Sequence, residues 1–458
     1  MDDGGRCKLA NQKNGSLNSV NIIRIFLLAS SVAYLIAAVA VPDRGEMLTG
    51  LAEILMSPAQ LTKDDFIIGS ISGTFLNVGL VGLVCAVMTC LPGAAVNGGT
   101  IAAYFLTTGF SFWGINFLNM WPFFLGVMLY TIVKREQFPK YVNIAMFATA
   151  LCPLASELLL RYPNSEEVHG VTLTGVVLML AVGMLIGFLT PAMAAHSPNV
   201  HKGYDLYSAA LPGVLLGLFG VAALYKTLGH DVPAITATLG GSHPGVVWTF
   251  CIVFFALCVL AGFWLNGKSF RGYAALLRDT GHKSDFVAKY GPGLAILNVG
   301  VYGLMILAYY ILVNAIRGDA FAGFNSVTLG IVFCMVCFGA AGAHPGNVWP
   351  IMVGYVAFSF FFTVCLGGVF PVNAQAIMVG LCFASGLAPI AGNYGWWAGV
   401  LAGGMHYLLV TSIPAIHGGF SLYNGGFTSL VIAVILVPQL EAFCKTKEQR
   451  LAAGNGKN

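Results

Sequence analysis

Two long stretches of this 458-residue chain, residues 66–133 and 320–440, contain no Asp, Glu, Lys or Arg. Polar chemistry there falls to amides, imidazoles, hydroxyls and backbone carbonyls. Asn77 and Asn298 sit in the matching stretches LNVGLVG and LNVGVYG, each two residues before a glycine (Gly79, Gly300) that lets backbones approach closely or lets a helix break. They are expected either to line a path as a symmetric pair of amides or to tie helices together. Asn119, Trp121 and Pro122 in NMWPFFLG match Asn347, Trp349 and Pro350 in NVWPIMVG. Proline leaves a carbonyl one turn earlier without its donor, free to face a ligand, and Trp supplies a flat apolar wall with one donor. The alternative is a kinked helix with Trp at the headgroup level. Just upstream, Asn116 aligns with His344, so the two copies are polar there but not identical.

The groups of the charge-free stretch 320–440 that titrate near neutrality are His344, His406 and His417. Each is read either as a proton relay or as the holder of a structural hydrogen bond. Glu157, in CPLASELLLRYP, is the one acidic residue well inside a predicted span, with Arg161 one helical turn later as its available partner. It is a coupling-ion or proton site, or, if the span is shifted slightly, half of a pair at the outer surface. Pro153, Pro389 and Gly392 are placed to break their spans, as in transporters with discontinuous helices.

Other patterns lead away from catalysis and cofactors. Residues 262–269, GFWLNGKS, satisfy the phosphate-loop pattern, but they end an apolar helix where that motif needs a preceding strand. Most of the 11 cysteines, Cys85, Cys90, Cys251, Cys258 and Cys365 among them, lie in apolar segments and read as small hydrophobes. Cys334 and Cys337 have the gap of a metal half-site without a second pair to complete it. With no serine nucleophile elbow, paired carboxylates or zinc-type His-Glu spacing, the expectation is a protein that is not an enzyme and takes no cofactor or metal.

The elements that hold these residues must be membrane helices. Mean hydropathy is +0.81, 57% of residues are hydrophobic and 9% are charged, so a soluble globule is excluded. A net charge of +4 with no acidic or basic run gives no footprint for nucleic acid. The sequence is also written twice, since HKGYDLYSAAL at His201 returns as HGGFSLYNGGF at His417, in one order with the motifs above and the shorter echoes GLAEIL/GYAALL and FPKYVN/FPVN.

The predicted fold is an all-α polytopic membrane protein of two repeats, 21–226 and 245–440, joined by a 227–244 loop and flanked by tails at 1–20 and 441–458. Each repeat has about seven transmembrane or re-entrant helices, the third and fourth of which either cross fully or re-enter. An odd number inverts the second repeat. Charges agree with inversion, because loop 42–65 is mostly acidic and its counterpart 267–285 mostly basic. Both termini then lie in the cytoplasm and the protein spans the cell membrane many times. Ala38-Val39-Ala40 resembles a signal-peptidase site, but its span has a partner at 245–266 and is expected to be retained. Linkers 45–56 and 270–279 read as short interfacial helices.

The repeated LNVG, the NxWPxxxG element and the HGGFSLYNGGF close resemble an uncharacterised family of duplicated prokaryotic membrane proteins, domain of unknown function family 1576, over nearly the whole chain. That resemblance implies topology more than chemistry, because the family brings no established substrate. The Gly and Asn pattern of LNVGLVG and LYNGGF is also similar to the GYNxxLVG elements of urea transporters, inverted repeats that pass a neutral solute. Their Pro-rich element with Thr and Phe has no counterpart here, so the likeness bears only on the neutrality of the solute.

The functional expectation is a channel or facilitator-like transporter for a small neutral or weakly polar solute. Its path runs on the inverted-repeat axis past Asn77, Asn298, Asn116, His344, Asn119 and Asn347, with Trp121 and Trp349 as walls. The first alternative is an ion- or proton-coupled transporter using Glu157 or a histidine, His406 or His417. The second, from another class, is a membrane enzyme or a non-transporting scaffold. Partners are the lipid bilayer and the solute, with a homo-oligomer left open.

Overall fold

The computed structural model describes residues 3–455 except 165, 236, 238, 317 and 319–322. Every regular element among the described residues is helical. A bilayer offers no partner to a free N–H or C=O, and a helix satisfies both internally. Nine segments among the described residues are long and apolar enough to cross a membrane, so the chain is a polytopic membrane protein.

The first half contains α1 (Asp3–Ala40), the short α2 (Met47–Leu55), α3 (Ile71–Thr89), α4 (Gly98–Phe110), α5 (Trp121–Lys134), α6 (Val142–Phe147), α7 (Cys152–Leu160), α8 (Leu173–Val200) and α9 (Ala210–Val221). The second half contains α10 (Pro244–Leu265), α11 (Pro292–Ile316), α12 (Ser326–Val336), α13 (Pro345–Phe360), α14 (Gln375–Ala384), α15 (Ala388–Tyr394), α16 (Trp396–Val410) and α17 (Asn424–Phe443). The order is the same in both, except that the place of α2 is taken by the single turn Tyr273–Leu276. α1 begins inside the segment expected to be a tail. Side-chain oxygens cap the starts: Ser70 accepts from Gly73 N–H at 2.9 Å, Asn97 from Thr100 at 3.2 Å and Asn325 from Thr328 at 3.1 Å.

The 13 residues of α4 rise about 20 Å, short of the roughly 30 Å hydrocarbon core. Beyond α5, Asn143 donates to the Ala95 carbonyl just ahead of α4 at 3.2 Å. The α4–α5 pair therefore starts and finishes at one end of the molecule as a hairpin. In the second half Gln375, beyond α13, donates to Thr328 Oγ1 at the start of α12 at 3.4 Å, closing the equivalent hairpin. α4 is too short to cross, whereas α13 with the turn that follows it, 345–365, is long and apolar enough to do so.

Two apolar spans are interrupted. A 3-10 turn at Ala148–Leu151 divides α6 from α7, and another at Ser385–Leu387 divides α14 from α15. Pro153 and Pro389 stand in the first turn of the helix that follows each break, where a missing N–H costs nothing. The sequence anticipates both interruptions.

Glycine seams join the outer helices. A Cβ on Gly126 (α5) would come within 2.2 Å of the Met184 carbonyl, and one on Gly187 (α8) within 2.3 Å of the Phe123 carbonyl. In the second half Gly354 (α13) would meet the Val400 carbonyl at 1.9 Å and Gly403 (α16) the Ile351 carbonyl at 2.0 Å. Such close backbone approach is how membrane helices gain packing without a hydrophobic driving force between them.

Equivalent helices of the two halves run antiparallel where they meet. The end of α1 (Ala40, Val41) shares a groove with the start of α10 (Gly245, Val246). In the centre Gly109 of α4 packs on Gly330 of α12, while Gly98, at the start of α4, lies against the Ala340 carbonyl beyond the end of α12. The halves also cap one another. Gly98 N–H donates to Asp285 Oδ2 at 3.2 Å, and Ser326 N–H and Oγ–H donate to Asp64 Oδ1 at 3.2 and 2.8 Å.

Candidate functional site

The matched asparagines do matched work. Asn77 Nδ2 donates to the Ser111 and Ile115 carbonyls at 2.8 and 3.0 Å, and its Oδ1 accepts from Phe117 N–H at 3.0 Å. Asn298 Nδ2 donates to the Gly339 and Ala343 carbonyls at 2.7 and 2.9 Å, and its Oδ1 accepts from the Tyr273 hydroxyl at 3.2 Å. Each amide thus holds the turn of its own hairpin. Asn119 Oδ1 takes the Asn116 N–H at 2.8 Å and its Nδ2 gives to the Gly114 carbonyl at 3.0 Å. Asn347 Oδ1 takes the His344 N–H at 2.9 Å and its Nδ2 gives to the Gly342 carbonyl at 2.8 Å. Asn116 and His344 are equivalent in turn, accepting backbone N–H groups from the first residues of α5 and α13 or the turn before them. Trp121 and Trp349 point outward, 38% and 46% exposed.

Glu157, fully buried, is held from two sides by Arg161, with Nε to Oε1 and Nη2 to Oε2 both 2.8 Å. The guanidinium reaches on to Gln60, whose amide donates to the Gly418 carbonyl at 2.7 Å. Nearby Lys63, in the loop before α3, lines a hollow of about 10 Å³ with Asp65 and Asn116; its ammonium is pushed below its ordinary value by burial and then by the charge of Arg161. His406 gives its Nε2 to the Gly425 carbonyl at 2.9 Å, while its Nδ1 is buried without a hydrogen bond.

Two cavities occupy equivalent places in the two halves. One, of about 250 Å³, lies between Ile144, Ala194, Ala195 and the segment Leu206–Ala209. The other, of about 330 Å³, lies between Gly380, Val410, Thr411 and Asn424, and Leu61, Thr62 and Pro414 also line it. In the register set by the glycine seams, Ala194 and Ala195 correspond to Val410 and Thr411, and Ser208 to Asn424. The first cavity reaches Gly99, beside the Asp285 cap; the second reaches the loop that carries Asp64. They therefore approach the centre from opposite ends.

Between them lies a layer of rings. Phe110 stacks on Phe383 with centroids 5.6 Å apart and packs against Tyr423 at 5.5 Å. Tyr207 meets Phe383 at 5.2 Å and Phe338 at 4.8 Å. Tyr207 and Tyr423 are equivalent residues, as are Phe110 and Phe338, so each half contributes a tyrosine to the other half's phenylalanine. Tyr207, Tyr423 and Phe338 face the first cavity, and Trp113, which packs on Phe110 at 5.4 Å, faces the second.

The tyrosines are presented by the HKGYDLYS and HGGFSLYN turns. In both, the His Nδ1 accepts the N–H four residues on, His201 from Asp205 and His417 from Ser421, each at 3.1 Å. Burial lowers both imidazoles to about 4, so they stay neutral and can accept. Each turn then plugs into the other half's broken span. Leu206 N–H donates to the Gly386 carbonyl at 3.0 Å, and Leu422 N–H to the Ala150 carbonyl at 2.9 Å. The aromatic layer and Asp205, buried in the first of these turns, are the features that reading single motifs passes over. Laying HKGYDLYSAAL over HGGFSLYNGGF exposes Asp205 as a charge set against a serine.

A family model described as "Protein of unknown function (DUF1576)" matches residues 43–226 and again 265–442, a two-segment match consistent with a duplicated domain. No curated protein and no solved structure matches the chain.

Proposed function

The chain belongs to the DUF1576 family of proteins of unknown function, and from that premise we propose that it carries a small neutral or weakly polar solute across the membrane between two inverted-topology halves. The observation that supports this most directly is the pair of equivalent cavities approaching one aromatic layer from opposite ends. Such an arrangement is a closed path with an antechamber on each side. The cavity walls carry hydroxyls, an amide and an indole but no Asp, Glu, Lys or Arg, which suits an uncharged solute. Their volumes lie near or below the lower end of the roughly 300–1,000 Å³ used by drug-sized ligands, so the solute is small. Neither wall holds a base beside a nucleophile, and transport is favoured over catalysis on that ground.

In this reading Asn77, Asn298, Asn116, His344, Asn119 and Asn347 hold the two hairpins that flank the path. Orientation follows from charge. Lys134, Arg135, Lys140, Lys268, Arg271, Arg278, Lys283, Lys445 and Lys447 lie at the end of the molecule that bears Asp285, which we assign to the cytoplasm together with both termini. The membrane is the cell membrane.

The test is flux of radiolabelled urea, glycerol and neutral amino acids into liposomes holding the purified full-length protein. Aromatic pairs contribute about 1 kcal/mol each, so Phe383→Ala, which removes two, is expected to raise the flux of a permeant solute about thirtyfold. If no probe crosses faster than in empty vesicles, in wild type or in Phe383→Ala, the transport reading fails.

A further inference from the structure

We propose that Asp205 is a proton-carrying carboxyl that couples solute movement to the movement of a proton, an inference that rests on the transport reading. Asp205 is 2% exposed. Its Oδ1 accepts the Tyr207 N–H at 3.0 Å, and its Oδ2 is buried with no hydrogen bond. No ion pair reaches it among the described residues.

The titratable groups around it are all turned elsewhere. On its own turn, His201 uses Nδ1 on the Asp205 N–H and Nε2 on Ser208, Tyr204 meets the Tyr394 hydroxyl, and Tyr207 meets Ser385 and the Cys334 carbonyl. From the loop before α11, His282 bonds the Lys202 carbonyl and Lys283 packs on Gly203; from α17, Lys202 is taken by Glu441. From α12, the Cys334 thiol turns to the Leu106 carbonyl.

A carboxylate is not needed to build this turn. In the second half Ser421 occupies the same position and its hydroxyl accepts the equivalent Tyr423 N–H at 3.4 Å. Burying an acid where a hydroxyl suffices is costly inside a membrane protein, and such acids mark proton and ion routes. The position fits that role. Asp205 sits on the turn that lines one cavity and presses against the break of the span whose Val379 and Gly380 line the other. A Cβ on Gly386 would come within 2.7 Å of Asp205 Oδ1 and 3.1 Å of Ser429 Oγ. Oδ2 takes a proton from water at one face when its cavity opens, travels the change of state as a neutral acid, and returns the proton at the other face as the carboxylate re-forms. Nothing else is consumed, and the proton gradient supplies the work.

Two measurements test this on the full-length protein. Infrared difference spectra of purified protein in sodium-free buffer are expected to show a protonated carboxyl band near neutral pH that is lost in both Asp205→Asn and Asp205→Ser and kept in Glu157→Gln. Asp205→Ser copies the Ser421 solution and guards against misfolding. In liposomes, a pH gradient is expected to concentrate a permeant probe from the set above in wild type, whereas both variants only equilibrate it. A band that survives in the variants, accumulation that survives in them, or accumulation driven by sodium and not by pH overturns the proposal. Absence of flux in every protein with the band lost as expected would sink the transport reading alone, leaving the proton-binding carboxyl standing.

Discussion

The turns 201–208 and 417–424 share their histidine, their leucine and their tyrosine, and dock the same way into opposite broken spans, yet one buries a carboxyl group and the other a hydroxyl. The same division runs through the molecule. Several residues that close backbone geometry, such as Asn77 and Asn298 or Gly126 and Gly354, match across the halves, whereas Asp205 stands against Ser421. His201 Nε2 is matched by Ser208 at 2.7 Å, while His417 Nε2 is buried without a hydrogen bond. Repetition marks the scaffold, and its failures mark where the two halves have become unequal.

The seams offer the largest way to break this comparison. Gly354→Ala forces a Cβ onto the Val400 carbonyl and Gly126→Ala onto the Met184 carbonyl, so the helix pairs must separate. Each is expected to lose upward of about 4 kcal/mol, seen as lost expression or a collapsed melting temperature in detergent. Variants that melt with wild type would show that the seams are not matched scaffold.

Next come the amides. Asn77→Ala and Asn298→Ala each strand two buried carbonyls, a loss of about 2–4 kcal/mol. Asn77→Ala is expected to be the worse, because it also strands the Phe117 amide, whereas Tyr273 can turn its hydroxyl elsewhere. Equal thermal shifts would erase that difference.

Making the second turn like the first sharpens the contrast. Ser421→Asp adds a second buried acid and is expected to cost about 1–3 kcal/mol at neutral pH. Burial raises a carboxyl, so the folded state holds its proton longer than the unfolded chain. The penalty therefore grows as pH rises above about 4 and vanishes below it. Melting curves of Ser421→Asp and wild type that stay parallel from pH 4 to 8 would contradict this.

The smallest effect lies in the loop before α11. Burial alone would raise Asp279, but Lys289, the Gly281 N–H, Tyr290 and Ser284 together hold it at about 2. Its stabilisation is present above the unfolded value of about 3.9 and lost as pH falls through 4 to 2. Because Lys289 is largely exposed, Lys289→Ala is expected to cost only about 0.5–1 kcal/mol, measurable at pH 7 and absent near pH 2.

Much of this architecture is legible in the residues. The halves announce themselves in LNVG and WP, the interruptions in Pro153 and Pro389, and the Glu157–Arg161 pair in its helical spacing. The aromatic layer is not, because Phe110, Phe383, Tyr207 and Tyr423 lie far apart along the chain and look like any apolar run until packing brings their rings within 6 Å. Whether Asn77 faces a path or a backbone is equally hidden, since both roles ask for the same amide next to the same glycine. Asp205 is visible only when one turn is laid over the other, because in isolation a charge beside His201 and Lys202 looks like ordinary loop chemistry.

The exchanged caps set a timetable for biosynthesis. The carboxylate that closes the start of α4 leaves the ribosome 187 residues after the amide it binds. The one for α12 has already been waiting for 262 residues when its serine emerges. During synthesis the start of α4 therefore lacks its Asp285 cap until that residue has been made, whereas α12 finds Asp64 already in the chain.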